Sequence, residues 1–178
     1  MDKIAVLLPC YNESKTIAKV VGGDFIRSPI FVDTVMNYNG IITPCSGKVI
    51  RYRREIGAEH VKILADVQVK HYYMVNPSVD ISTSAKWAQH QGADAVIVTG
   101  CSTGVETASS DLEKVRKSIS IPVAVGSGVT EKNIAEKMRT ADILIIGTTL
   151  RKGGKMSEPI DEAQARAILR AAGREVEA

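Results

Sequence analysis

Short apolar runs alternate with polar-faced stretches along almost the whole chain. The runs Ile4–Leu8, Phe25–Val32, Lys62–Val69, Asp94–Thr99, Ile121–Val125 and Ile143–Ile146 have the length and Val/Ile content of buried strands. Each is followed by a stretch with helical spacing: Ser14–Val21, Gly47–Ile56, Ser82–Gln91, Ser110–Ser118, Glu131–Arg139 and Asp161–Ala172. Thr130 before Glu131 and Asn133, and Asp161 before Glu162, place cap and dipole-compatible residues where helices should begin. Asn39-Gly40, Gly92, Gly153-Gly154 and Gly173 mark loops. Strand and helix in regular alternation predict right-handed βαβ units, a parallel sheet, and a single domain over residues 1–178 with six units. An open doubly wound sheet accommodates six; a closed (β/α) barrel normally has eight, and the pattern leaves both open.

Composition narrows the class. The 178 residues suffice for one full hydrophobic core. With 44% hydrophobic, 24% charged and only 4% aromatic residues, the chain suits an α/β protein better than a sandwich or a disordered polymer. A net charge of +3 and few aromatics argue against nucleic acid as a partner. No apolar run approaches the roughly 20 residues of a membrane span, and the start has no leader pattern, so the expectation is cytoplasmic with at most peripheral membrane association. Cys10, Cys45 and Cys101, with His60, His71 and His90, form no metal-ligand spacing. No metal or cofactor is expected.

The chemistry concentrates at predicted strand ends. In IPVAVGSGVTEKNIAEKM a strand ends in Gly126-Ser127-Gly128 just before a helix, where backbone amides can approach an anion. ILIIGTTLRKGG repeats the theme with Gly147, Thr148 and Thr149. Two such turns in consecutive units fit a phosphate grip, although each alone fits an ordinary tight turn. In KILADVQVKH, strand alternation would put Asp66, Gln68 and Lys70 on one face and Val67 and Val69 on the other. Asp66 and Lys70 are then candidates for an acid/base pair, with His71 available for proton transfer; a structural Asp–Lys ion pair is the plainer reading. FIRSPIFVD gives Arg27 the same face as Pro29, Phe31 and Asp33. A buried guanidinium there needs a ligand or a carboxylate, Asp66 being the obvious one. VIVTGCSTG offers Thr99 and Thr103 as hydroxyl ligands or simple caps, with Cys101 a spectator thiol. RYRRE reads as a solvated basic helix face.

Two resemblances follow from these blocks. VLLPCYNESKTIAKVV (6–21) resembles the opening of a family 2 glycosyltransferase, but no two aspartates stand two residues apart to supply that family's metal site. Taken in order, GGDFIR, RYRREIGAEHVKILADVQVKH, GADAVIVTGCSTG, PVAVGSGVTEKNI and ADILIIGTTLRKGGKMSEPID resemble the BtpA family from about residue 22 to 170, leaving residues 1–24 as an atypical first unit. The resemblance implies a TIM-type (β/α) barrel, here partial or rearranged. In that fold Asp66, Lys70, His71, Thr99, Thr103, Gly126, Ser127, Gly128, Gly147 and Thr148 rim the mouth. It also implies a phosphorylated nucleoside or sugar as ligand, with nucleosidase-like acid/base chemistry, or a non-catalytic role like that of cyanobacterial members linked to photosystem I biogenesis. Family members carry two further units at their start, with a His, a Pro-Gly loop and a Glu-Asn pair, that have no counterpart here. A second copy covering the bare edges is therefore expected, or a different closure, or a barrel fragment without activity of its own.

Overall fold

The computed structural model describes residues 22–100 and 107–174. The predicted unit Ile4–Leu8 with Ser14–Val21, Cys10, and the Cys101–Gly104 loop with Thr103 lie outside them.

Five parallel strands form the main sheet: β1 (Phe25–Ser28), β4 (Lys62–Val67), β6 (Ala95–Val98), β7 (Val123–Val125) and β8 (Ile143–Leu144). Their spatial order follows the chain, β1-β4-β6-β7-β8, so every crossover leads to the next strand. Five helices complete these units: α1 (Ser46–Glu55), α2 (Ile81–His90), α3 (Ser109–Ser118), α4 (Ile134–Thr140) and α5 (Glu162–Ala171). Two have side-chain caps, one of them at the expected Asp161, whereas the helix expected just after Thr130 begins only at Ile134 and has no side-chain cap. Asp80 accepts from the Thr83 amide ahead of α2, and Asp161 accepts from the Ala163 and Gln164 amides ahead of α5.

Period-two alternation separates the two faces of the sheet. Ile26, Ile63, Ala65, Val67, Val96, Val98, Val123 and Val125 point outward and pack with Val49 of α1, Ala85 and Ala88 of α2, Leu112 and Val115 of α3, Ile134 of α4 and Ile168 of α5. Leu64, Ala95, Ile97 and Ala124 form a second, smaller layer with Phe25, Ile143 and Ile145, to which no described helical residue belongs. All helices on one face is the barrel solution; a doubly wound sheet would have helices on both.

The strand N-terminal ends are tied together by a recurring bond pattern. Asp94, just before β6, accepts from the Ile63 amide of β4 and from Arg53 of α1, both at 2.9 Å. Asp142, just before β8, accepts from the Val123 amide of β7 at 2.9 Å and from Arg116 of α3 at 2.6 Å. Gln89 of α2 accepts from the Ser120 amide ahead of β7 at 2.8 Å. In each case a helix reaches the strand two units onward. Arg53 is thus a structural clasp, where the sequence reads its helix face as merely solvated.

Two predicted strands are shorter than their apolar runs. The first ends at Ser28, and Phe31 packs in the outward core, opposite the face of Arg27, so the expected Arg27–Pro29–Phe31–Asp33 row does not form. The second ends at Val67, where Gln68 takes φ 46°. The sequence also misses a three-stranded antiparallel sheet with the order β3-β2-β5: β2 (Val35–Asn37), β3 (Gly40–Ile42) and β5 (Tyr73–Met74). Tyr38-Asn39 is the turn of its hairpin, one residue ahead of the expected Asn39-Gly40 because Gly40 already pairs with Asn37; Asn37 Oδ1 accepts from the Asn39 amide at 2.8 Å.

Candidate functional site

The inner face changes character along its length. Toward the strand N-termini it is apolar; at the C-terminal end of β4, with its neighbours, it carries Arg27, Asp66, Thr99 and Gly126. Register explains the grouping. Arg27 stands opposite Leu64, one pleat below Asp66; Asp66 stands opposite Ile97, and Ile97 opposite Ala124. Thr99 and Gly126 follow two positions after Ile97 and Ala124, which puts them on the same face.

Arg27 donates from Nε to Asp66 Oδ2 at 2.8 Å and from Nη2 to Oδ1 at 2.7 Å. This fork-to-carboxylate geometry fixes both side chains. The Asp66 side chain is fully buried, while that of Arg27 keeps 23% of its surface in contact with solvent. The bond to Asp66 raises the guanidinium above its ordinary value. Burial pushes the Asp66 carboxyl up, against the pull of Arg27 and Lys70. These directions favour opposite states of the pair. Two short bonds make the ionised pair the ground state, and burial primes Asp66 to take a proton once that partner is gone.

Lys70 lies within electrostatic reach of both. Partial burial and the Arg27 charge hold its ammonium below its ordinary value, with Asp66 opposing. Among the described residues nothing forms a hydrogen bond or ion pair with Lys70. Its backbone is held in place by neighbours rather than by strand pairing. Gln68 (φ 46°) and His71 (φ 67°) both occupy the left-handed region, which is costly for residues with a Cβ. Asp33 offsets the first of these: its Oδ2 accepts from the Gln68 amide and its Oδ1 from Ser84 Oγ, both at 2.7 Å. Gln68 Nε2 donates to the Val79 carbonyl at 2.8 Å, so Gln68 does not extend an inward row with Asp66. His71 is exposed beyond the strand rather than at its end. Asp33→Ala is expected to lower stability by about 1–3 kcal/mol, by stranding two donors. It should also speed amide exchange at Gln68–His71 more than in α3, which hydrogen-exchange mass spectrometry would resolve.

Thr99 and Gly126 meet closely. A Cβ on Gly126 would sit 2.7 Å from both Ile97 Cγ2 and Thr99 Cγ2, so only glycine fits. Thr99 Oγ1 is enclosed and finds no hydrogen-bond partner among the described residues. Ser127 is buried, and its carbonyl accepts from Thr107 Oγ1 at 3.2 Å. Gly128 (φ 69°) accepts at its carbonyl from Asn133 Nδ2 at 2.9 Å. The two glycine turns are bound together by Thr149 Oγ1, which donates to the Val129 carbonyl at 2.7 Å. Thr148 Oγ1 donates to Met156 Sδ at 3.1 Å, and the space around Gly147 is open. Among the described residues the main-chain N–H groups of Gly128, Gly147 and Thr148 donate to no partner.

Sequence reasoning missed Asp33 as a bracing residue, together with Ser84, because their partners are remote in the chain. It also missed Lys137 of α4, which is buried and donates to the Thr107 carbonyl at 3.0 Å and Ser109 Oγ at 3.1 Å. A carboxylate inside an apolar run, as in FVDTV, is the signal by which Asp33 could have been found.

Helices on one face, strands in chain order and a polar inner rim at the C-terminal end define a TIM-barrel-type α/β protein. The chain belongs to the BtpA family, whose profile matches residues 4–174 and so takes in the glycosyltransferase-like segment as well. It is 34% identical over 162 residues to an uncharacterised mitochondrial protein of Caenorhabditis elegans, covering 90% of this chain and 58% of that one. It is 32% identical over 170 residues to the photosystem I biogenesis protein BtpA of Synechocystis, covering 94% and 58%. The chain thus spans little more than half the length of these relatives. Among solved structures it resembles 3-hexulose-6-phosphate synthase from Salmonella typhimurium (TM-score 0.59, 17% identity, 89% of this chain and 65% of that one). It also resembles thiamine phosphate pyrophosphorylase from Pyrococcus furiosus (TM-score 0.58, 17% identity, 89% and 64%). At such identities the likeness speaks for the fold alone. No helix of the described residues is long and apolar enough to cross a membrane.

Proposed function

We propose that this chain binds a phosphorylated small molecule, a nucleoside or sugar phosphate, at the C-terminal mouth of its strands. The observation that carries the reading is the convergence of Arg27, Asp66, Thr99 and Gly126 on one otherwise apolar face, with Lys70 beside them. In this reading the phosphate lies on the linked Gly126–Gly128 and Gly147–Thr149 turns, where the amides of Gly128, Gly147 and Thr148 suit an anion. The buried Thr99 hydroxyl supplies a further ligand contact, relieving the roughly 1–3 kcal/mol that an unpaired buried group costs. Lys70, held below its ordinary value, serves as base, and Asp66 is its acid/base counterpart once ligand draws Arg27 away and burial favours its protonated form, in nucleosidase- or phosphosugar-type chemistry. A second copy of the chain completes the assembly. The structural neighbours are named for phosphorylated compounds, thiamine phosphate and 3-hexulose-6-phosphate, which agrees with this class of ligand.

Titration with ribose 5-phosphate and with inorganic phosphate, followed by amide NMR, tests the grip. Shifts concentrated at residues 126–128 and 147–149 are expected, and their absence at millimolar ligand would refute it.

A second reading is a non-catalytic assembly factor. Both oxygens of Asp66 are taken up by Arg27, as in a structural pair, and the Synechocystis relative is named for photosystem I biogenesis. Lys70→Ala separates the two: turnover on any nucleoside or sugar phosphate would vanish with it, whereas a scaffold would keep its partners.

A further inference from the structure

The small antiparallel sheet exposes an apolar row. Ile41, Met36 and Tyr73 face one another across β3, β2 and β5, and all three are exposed, at 67%, 45% and 75%. In the adjacent row Val35 is buried and Ile42 and Met74 are half-buried, so the sheet has one exposed and one largely covered face. Val75 (44% exposed) extends the first of these by strand alternation, and Tyr38 (96%) stands at the hairpin tip next to it. With two exposed tyrosines of roughly 150–250 Å² each, joined by Ile41, Met36 and Val75, on the order of 600 Å² of largely apolar surface lies in this region, the upper limit of what a monomer leaves bare.

The segments that build this surface carry no charge of their own. Residues 34–47 and 72–79 hold no Asp, Glu, Lys or Arg in a chain where 24% of residues are charged, and they hold three of its five tyrosines. Loss of charge with enrichment in Tyr and Met marks the centre of a protein–protein contact. It also speaks to the occupant. Nucleic acid and anionic lipid need basic residues that this face lacks. A charged protein partner would find no charge on these segments to pair with. A copy of the same neutral surface meets it without like-charge repulsion, the condition that a two-fold contact imposes. The exposed area approaches the roughly 800 Å² that each partner commits to a standard interface.

We infer that the β3-β2-β5 face is the contact between two copies of this chain. This rests on the reading that copies associate, and it places the contact on the two loops after β1 and β4, beside Lys70, rather than on the edges of the main sheet. Sedimentation velocity of the full chain from about 1 to 100 µM should show a dimer. Ile41→Lys and Tyr73→Lys should each raise the dimer dissociation constant at least about thirtyfold, the loss of one central anchor. Trp87→Lys, at an exposed position on α2, should leave it unchanged. Circular dichroism establishes that each variant is folded; should a lysine unfold the chain, Ile41→Thr and Tyr73→Thr give the same comparison. A wild-type monomer at every concentration would overturn association altogether. A dimer indifferent to the Ile41 and Tyr73 changes would overturn this surface while leaving association intact.

Discussion

Arg27→Ala should destabilise the fold by about 3–5 kcal/mol, because it leaves the Asp66 carboxylate enclosed without its bidentate partner. Asp66→Ala should cost less, about 1–3 kcal/mol, since the Arg27 side chain is already part-exposed and its head can turn to water. Removing both, as Arg27→Met with Asp66→Leu, should come close to neutral for stability while ending ligand binding. The pH dependence follows from the direction in which Asp66 is shifted. Burial raises its folded value above the ordinary one of 3.8, so the folded chain holds that proton more tightly than the unfolded chain does. Such a group contributes stability below its unfolded value and forfeits it as pH climbs through the folded value. Without Arg27 the upward shift must grow. The deficit of Arg27→Ala relative to wild type should therefore be greatest at neutral pH and shrink as pH falls toward about 4. Urea unfolding at several pH values measures this, and a deficit that widens on acidification would contradict it.

Gly126→Ala should be the second severe change. Its new methyl would lie 2.7 Å from two γ-methyl groups, on Ile97 and Thr99, both β-branched and stiff at χ1. A cost of about 1–3 kcal/mol is expected, as for other overpacked sites, together with loss of phosphate binding at the turn. Adding Thr99→Ser removes one of the two obstructing methyls and should restore part of the stability. Gly147→Ala is the contrasting control. Nothing lies within 4 Å of its Cβ position and its φ is negative, so its unfolding midpoint should move far less than that of Gly126→Ala. Equal losses at the two glycines would show that crowding is not what requires Gly126.

The parallel strands were legible because they are buried on both faces, which writes them into the sequence as unbroken runs such as AVIV and VAV. That property also hides their ends. Nothing local in KILADVQVKH says that the strand stops at Val67, because Gln68 is turned by a carboxylate 35 residues earlier in the chain. The inner rim was readable where strand alternation holds, at Arg27, Asp66, Thr99 and Gly126, and unreadable just beyond it. Lys70 reaches the pair from a loop with left-handed residues, not from a strand face. The antiparallel sheet had a signal in VMNYNGII, an Asn-Gly between apolar residues, but its third strand is only two residues long and pairs from another loop. The choice between open sheet and barrel lay outside the pattern altogether, since alternation counts helices without saying which side they take.

The clasps formed by Asp94 and Asp142 have an evolutionary consequence. They set the relative height of neighbouring strands from below, at the end remote from Lys70 and the glycine turns. Alignment of the staves is thereby divorced from whatever is mounted above them. Segments at the upper rim can be lengthened, recoloured or swapped between relatives with the framework still in step, which gives this scaffold room to acquire new specificities one loop at a time.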